Sequence, residues 1–205
     1  TGHYNIGAGY LALGVSTTGC NNIAIGKNAL GASTTGSRNV AIGDGAMGGA
    51  ATTGTYNIAL GANAADALTT GYHNVALGLN ALGASTTGYR NIAIGDLALG
   101  GAVTTGFHNI AMGYTTMDAL TTGNYNVAIG DTALSASTTG CHNVAIGTTT
   151  MDALTTGKWN VAIGIDALGV ATTGCLNVAI GANALGNTAT TGNENIAIGL
   201  NSADA

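Results

Sequence analysis

The chain has little charge, no proline and few aromatic residues. Only 6% of its 205 residues are charged, whereas about a quarter is usual in a soluble domain. Four Lys and Arg stand against nine Asp and Glu, so there is no basic footprint for nucleic acid or an anionic membrane. No apolar run approaches the ~18 residues that cross a bilayer, and no signal peptide opens the sequence. We therefore expect neither nucleic-acid binding nor membrane insertion by this segment.

Motifs of enzymes and of metal or cofactor sites are also missing. The sequence has no phosphate-binding loop, no H-E-x-x-H, no C-x-x-C and no EF-hand loop. Cys141 and Cys175 lie two repeats apart, beyond the roughly 7 Å between Cα atoms that a disulfide spans. We expect no intrachain disulfide, no enzymatic activity, no cofactor, no metal site and no catalytic residue.

What the sequence does have is a repeat of 17 or 18 residues, written T-T-G-x-x-N-[VI]-A-[ILM]-G-x-x-A-L. A Gly stands three residues before each repeated Asn and another four residues after it, and these two positions use 24 of the 35 glycines. The repeated asparagines are Asn5, Asn22, Asn39, Asn57, Asn74, Asn91, Asn109, Asn126, Asn143, Asn160, Asn177 and Asn195. We call the segment that begins at each of them a coil and name it by that Asn.

So short a coil cannot contain the helix pairs of ankyrin or TPR repeats, which leaves strands. The pattern predicts an all-β parallel β-solenoid of about twelve coils, with residues 1–205 forming one repeat domain of a longer fibrous protein. In the Asn39 coil, alternation along a strand sends Val40 and Ile42 to one face and Ala41 to the other. We expect Val40 and Ile42 to point inward against a second extended piece at Ala46–Met47. The Ala column, of which Ala41 is one member, would then face outward as a flat contact surface for another chain.

Stacking of coils converts each repeated residue into a column. We expect the repeated asparagines to form a structural ladder of stacked amides; the alternative is an array that binds a ligand. The ladder comprises Asn22, Asn39, Asn57, Asn74, Asn91, Asn109, Asn126, Asn143, Asn160 and Asn177. Paired threonines such as Thr34-Thr35 favour closure of a corner, or alternatively an ice-binding surface.

Chemical variety is concentrated in the two positions before each Asn. With coils about 4.8 Å apart, the position directly before the Asn predicts a stripe of stacked rings and guanidinium groups. Such a stripe either stabilises the solenoid or recognises sugars and other flat partners. The candidate surface recognition stripe consists of His73, Arg90, His108, Tyr125, His142 and Trp159.

The run N-[VI]-A-I-G resembles the head repeats of YadA-like trimeric autotransporter adhesins. The longer form T-T-G-x-x-N-x-A-I-G-x-x-A-L is similar to repeats of phage tail-fibre and secreted fibrous proteins. The resemblance covers nearly the whole chain, although the coil is longer than in the adhesin heads. It implies a left-handed β-roll and a homotrimer.

These observations predict a structural rod of an extracellular fibre or adhesin, with a rigid shaft and a multivalent binding surface. Its partners would be copies of itself and a glycan or host surface, and its location extracellular, at a cell surface or on a virion fibre. A second hypothesis is a homopolymeric filament whose subunits join end to end, since Ser202–Ala205 resembles Ala64–Ala67. An ice-binding solenoid is the third.

Overall fold

The computed structural model describes residues 2–186 and 191–203, and the chain divides into two compact units, Thr1–Thr105 (unit 1) and Gly106–Ala205 (unit 2). It is an all-β parallel β-solenoid of twelve strands, as the repeat predicts. The described residues contain no helix, and hence none that could span a membrane.

Each coil contributes one strand of three residues, which begins directly after the repeated Asn. The strands of unit 1 are β1 (Ile6–Ala8), β2 (Ile23–Ile25), β3 (Val40–Ile42), β4 (Ile58–Leu60), β5 (Val75–Leu77) and β6 (Ile92–Ile94). Those of unit 2 are β7 (Ile110–Met112), β8 (Val127–Ile129), β9 (Val144–Ile146), β10 (Val161–Ile163), β11 (Val178–Ile180) and β12 (Ile196–Ile198). Equivalent residues pair in register, for example Ala24 with Ala41, so like side chains stack in columns within each unit.

The predicted direction of the strand side chains is wrong. Ala41 is fully buried, whereas Ile42 is 37% exposed and Val40 is half-buried. The same order, with the central Ala buried and its larger neighbours outside, holds from β2 to β12. The physical reason is that the Asn preceding the strand is buried, and alternation then brings the Ala inward with it.

The interior is consequently narrow. Across it from the Ala column lies the large residue of the repeat, such as Leu30, Met47 or Leu82, which is fully buried. Where this residue shrinks to Ala65, Leu68 fills the space three positions later and is itself fully buried. Close packing is thus maintained by small residues and one or two larger ones per coil.

A second extended piece, expected at Ala46–Met47, is also not formed. The segment consists of tight turns instead, with Gly48 N donating to Gly45 O over 2.9 Å. Met47 has φ 50° and Gly45 φ 67°, which is the conformation that the third residue of a type II turn requires. The residue at the position of Met47 is in the left-handed region in all twelve coils, including the two where it is Ala65 or Ala203. An L residue in this region costs about 1–2 kcal/mol.

Glycine at two repeat positions allows the backbones of neighbouring coils to approach each other closely. Gly43, which follows β3, has φ 141°, and a Cβ there would lie 2.4 Å from the carbonyl oxygen of Gly61 in the next coil. At Gly19, three residues before an Asn, a Cβ would lie 2.2 Å from Gly36 O. Any side chain at these positions would push neighbouring coils apart.

Candidate functional site

The Asn column forms a continuous hydrogen-bonded ladder inside each unit. Asn143 accepts at Oδ1 from the backbone N–H of Asn160 (3.0 Å) and from its Nδ2 (3.1 Å). Its own Nδ2 donates to Gly157 O (2.9 Å) and to Asn126 Oδ1 (3.2 Å). The geometry repeats along both units, and from Asn22 to Asn177 every side chain of the column is buried. With both ends of the amide engaged by backbone and neighbours, no oxygen or nitrogen of Asn143 is left for a ligand.

The stripe directly before the Asn column is a ring stack in unit 2. The ring centroids of His108 and Tyr125 are 5.2 Å apart, those of Tyr125 and His142 4.9 Å, and those of His142 and Trp159 6.0 Å. The interplanar angles lie between 11° and 16°. Four of the six predicted stripe residues are therefore brought together as parallel, stacked rings.

Unit 1 contains a related but mixed stack. His73 stacks on Tyr56 at 4.9 Å with an interplanar angle of 8°, and the guanidinium of Arg38 lies 5.1 Å from the centroid of the Tyr56 ring. Arg38 also donates to the Tyr56 hydroxyl. Arg90 follows His73 in the same column, and its backbone N–H donates to Tyr72 O. The candidate surface recognition stripe predicted from the sequence did not include Arg38 and Tyr56, although both occupy the same repeat position.

All these side chains project from a backbone in the left-handed region. The φ values are 59° at Tyr125, 58° at His142 and 57° at Trp159. The amide of each bonds to the preceding coil, as His142 N does to Asn124 O over 3.0 Å. Because every coil repeats the same backbone and the same hydrogen bond, the rings emerge in parallel.

Stacking has a chemical consequence for recognition. A ring whose two faces are covered by neighbours cannot lay either face on a sugar. In unit 2 this applies to Tyr125 and His142, both of which are stacked on each side. What the stack offers to a partner is a row of ring edges, with the Tyr125 hydroxyl and ring N–H groups as hydrogen-bonding groups.

The outward face of the strands carries the residues that the sequence predicted to lie in the core. Its two columns are the first and third residues of each strand, and every one is Val, Ile, Leu or Met except Ala8. Between β2 and β11, exposed fractions reach 42% at Ile25, 40% at Ile58 and 38% at Ile163. We call this surface the aliphatic face. The signal that could have revealed it is the uniformity of the central Ala within the repeat, since a tight interior tolerates less variation than an open surface.

The paired threonines divide their roles. In several pairs the hydroxyl of the first threonine donates to the next coil, as Thr69 Oγ1 does to Thr86 O (3.0 Å) and Thr121 Oγ1 to Thr138 O (3.0 Å). The second of each pair, Thr35 for example, is exposed. Only one threonine column per unit faces solvent, so the threonines form a single row rather than a two-dimensional array.

The remaining reactive groups are scattered. Cys20, Cys141 and Cys175 are free thiols of intermediate exposure, and the described residues contain no group of three His, Cys, Asp or Glu side chains placed to hold a metal ion. Burial, together with nearby Asp166, raises the pKa of Asp152 above its usual 3.8, although backbone hydrogen bonds oppose the rise. Of the segment Ser202–Ala205, Asp204 and Ala205 lie outside the described residues, as does Thr1.

Comparison with protein-family models, with curated proteins and with solved structures finds no match for the chain.

Proposed function

We propose that the chain is a structural rod of an extracellular fibre or adhesin, in which three copies, each a left-handed β-solenoid, associate as a homotrimer through the aliphatic face. The observation that carries the proposal is that this face is apolar, at least partly exposed and free of charged side chains along each unit. The resemblance to adhesin-head and tail-fibre repeats supports the oligomer number, the handedness and the extracellular setting.

The regular spacing supports a self-association surface. In one unit six strands about 4.8 Å apart, with two columns about 6.6 Å apart, make a flat apolar strip of roughly 190 Å². A standard interface covers about 800 Å² per partner, so the strip of one unit supplies about a quarter of it. A second copy presents the same flat, uncharged surface with the same spacing, and is the partner that matches it best.

The ring stack is the proposed recognition element of the rod. Its edges repeat at the coil spacing, so weak contacts to a repetitive glycan or host surface add by avidity. Replacing Tyr125, His142 and Trp159 with Ala is expected to abolish adhesion while the fold is retained. Adhesion that survives the triple substitution would remove the stack from recognition.

The assembly is tested by mass in native solution, where the expected particle is three times 19.8 kDa. Ile42→Glu combined with Ile129→Glu places one charge in the aliphatic face of each unit, at residues 37% and 38% exposed. We expect this variant to be monomeric and folded by far-UV circular dichroism. Thr35→Glu combined with Thr122→Glu is the matched control on exposed threonines and should remain trimeric. A wild-type monomer would overturn the proposal.

A further inference from the structure

One column of unit 2, which the proposed function does not use, places an amine between two thiols. It is the second position before the repeated Asn, and in three consecutive coils it holds Cys141, Lys158 and Cys175. Cys141 and Lys158 pair as a parallel bridge, and the backbone N–H of Leu176 donates to Lys158 O over 3.0 Å. The Cα of Lys158 is therefore about 4.8 Å from that of each cysteine. We call these three residues the Cys–Lys–Cys column.

Both thiols of the column have the same orientation. The Cys141 thiol donates to Thr139 O over 3.3 Å, and the Cys175 thiol donates to Thr173 O over 3.6 Å. Because equivalent side chains of neighbouring parallel strands point the same way, the side chain of Lys158 leaves the backbone between the two thiols. Its flexible four-carbon stem brings the amine within reach of either sulfur atom.

The three groups are accessible to a reagent. Both cysteines are free thiols of intermediate exposure, and Lys158 is exposed and makes no ion pair with any residue that the structure describes. The two cysteines are two coil spacings apart, about 9.6 Å, which exceeds the roughly 7 Å between Cα atoms that a disulfide allows. The partner that each thiol can reach is therefore the amine of Lys158.

We propose that Cys141 and Lys158 form a covalent capture site for α,β-unsaturated aldehydes, with Cys175 as a second thiol beside the same amine. Such an aldehyde has two electrophilic carbon atoms, a β carbon that thiolates attack and a carbonyl carbon that amines attack. The three carbon atoms that come to link sulfur and nitrogen span about 5 Å when extended, close to the coil spacing of about 4.8 Å. The proposal does not depend on trimer formation.

The reaction needs no oxidant or reductant. Cys141 Sγ bonds to the β carbon, the carbon–carbon double bond is lost, and the thiol proton ends on the α carbon. Lys158 Nζ, as the neutral amine, then attacks the carbonyl carbon, and water leaves as the imine forms. The product is a covalent bridge between neighbouring coils, and its mass is that of the chain plus one aldehyde less one water.

The experiment treats the full chain with trans-2-hexenal in mildly alkaline buffer, because the thiolate is the nucleophile. Borohydride then reduces the imine to a stable amine, and peptide mass spectrometry locates the products. We expect one cross-link per chain, since the column has a single amine, joining Lys158 to Cys141 or to Cys175. Acrylamide, which alkylates thiols but has no aldehyde group, should label both cysteines without a cross-link.

Cys20 is the matched control within the same molecule. It occupies the same repeat position, and its thiol donates to Thr18 O over 3.4 Å in the same way. Its neighbours in the column are His3 and Ser37, neither of which forms an imine. The ratio of cross-link to simple thiol adduct should therefore be at least about tenfold higher at Cys141 than at Cys20, because only Cys141 has an amine beside it.

Substitutions in the column separate the roles of the thiol and the amine. Lys158→Gln should abolish the cross-link while both cysteines are still alkylated. Cys141→Ser should lower its yield, and Cys141→Ser combined with Cys175→Ser should abolish it. All three variants should keep the far-UV circular dichroism of the wild type, because these side chains lie outside the core. A cross-link that persists in Lys158→Gln, equal ratios at Cys20 and Cys141, or thiol adducts without any cross-link would each overturn the proposal.

Discussion

The two faces of each strand are made from adjacent residues and perform opposite tasks. The inward face carries Asn and Ala, which are small and fully buried, as at Asn143 and Ala145. The outward face carries Val144 and Ile146, which are larger, more apolar and partly exposed. Hydrogen bonding and tight packing thus occupy the interior, and hydrophobic surface is left outside. The internal order of this solenoid thus comes from its amides, and its aliphatic residues form the surface through which we propose that copies associate.

Asn143→Ala should have the largest effect, because it removes the side chain that bonds to Asn126, Gly157 and Asn160. Leaving two or three buried polar groups unpaired costs about 1–3 kcal/mol each. We expect a loss of about 3–6 kcal/mol in the free energy of unfolding, measured in urea. Val144→Ala, the outward neighbour, is the control, with a loss near 1 kcal/mol. Equal losses would contradict the division between the faces.

Ala145→Leu tests the packing of the interior without altering a hydrogen bond. The side chain has 0% exposure and is stacked between Ala128 and Ala162, so three added carbon atoms have no space. Overpacking of this kind costs about 1–3 kcal/mol. Ile146→Leu, on the outward face of the same strand, should change the free energy of unfolding by less than about 1 kcal/mol. Thermal unfolding of both variants provides the measurement, and a tolerated Ala145→Leu would show that the interior has free volume.

The repeat made the stacking and its register predictable, because equal spacing places Ala24 beside Ala41 whatever the coil shape. The ladder hydrogen bonds of the asparagines and the parallel rings of Tyr125 and His142 follow from the same spacing. Alternation along the strand defines two faces but does not say which one is inside. Ala41 rather than Ile42 faces the interior because the interior is narrow and because the amide of Asn39 must be buried. Neither the width of the interior nor the burial of an amide can be read from hydrophobicity.

The backbone conformation of the turns was also not predictable from the residue types. Bulky residues such as Trp159 and Met151 rarely adopt positive φ, and yet they do so here with φ 57° and 54°. The turns between strands impose this conformation, since coil after coil must return to the same register.

Two buried serines differ in whether their hydroxyl groups are hydrogen-bonded. Ser85 Oγ donates to Thr104 O over 3.1 Å, whereas Ser137 Oγ has no hydrogen-bond partner among the residues that the structure describes. Both side chains are fully buried. Ser85→Ala should lower the free energy of unfolding by about 1 kcal/mol. Ser137→Ala should be neutral or stabilising, because it removes an unpaired hydroxyl. A substantial loss at Ser137, measured by urea unfolding, would mean that its hydroxyl is bonded.

The smallest effect is expected from Asp152, where the interior and the surface meet at a turn. Its folded pKa is raised, first by burial and second by Asp166, so the ionised carboxylate is less favourable in the folded chain than in the unfolded one. Above the folded pKa this lowers stability, and below the unfolded value of 3.8 the penalty is absent. Asp152→Asn should therefore stabilise the protein at pH 7, with a gain that disappears as the pH falls toward 3.8.

Asp166→Asn separates the two causes of that shift. It removes the charge repulsion but not the burial, so the pKa of Asp152, followed by carboxyl NMR, should fall and yet remain above 3.8. A return to the ordinary value would make Asp166 the main cause. Burial would then have little influence at this turn, and the boundary between the hydrogen-bonded interior and the solvated surface would lie further inside than Asp152.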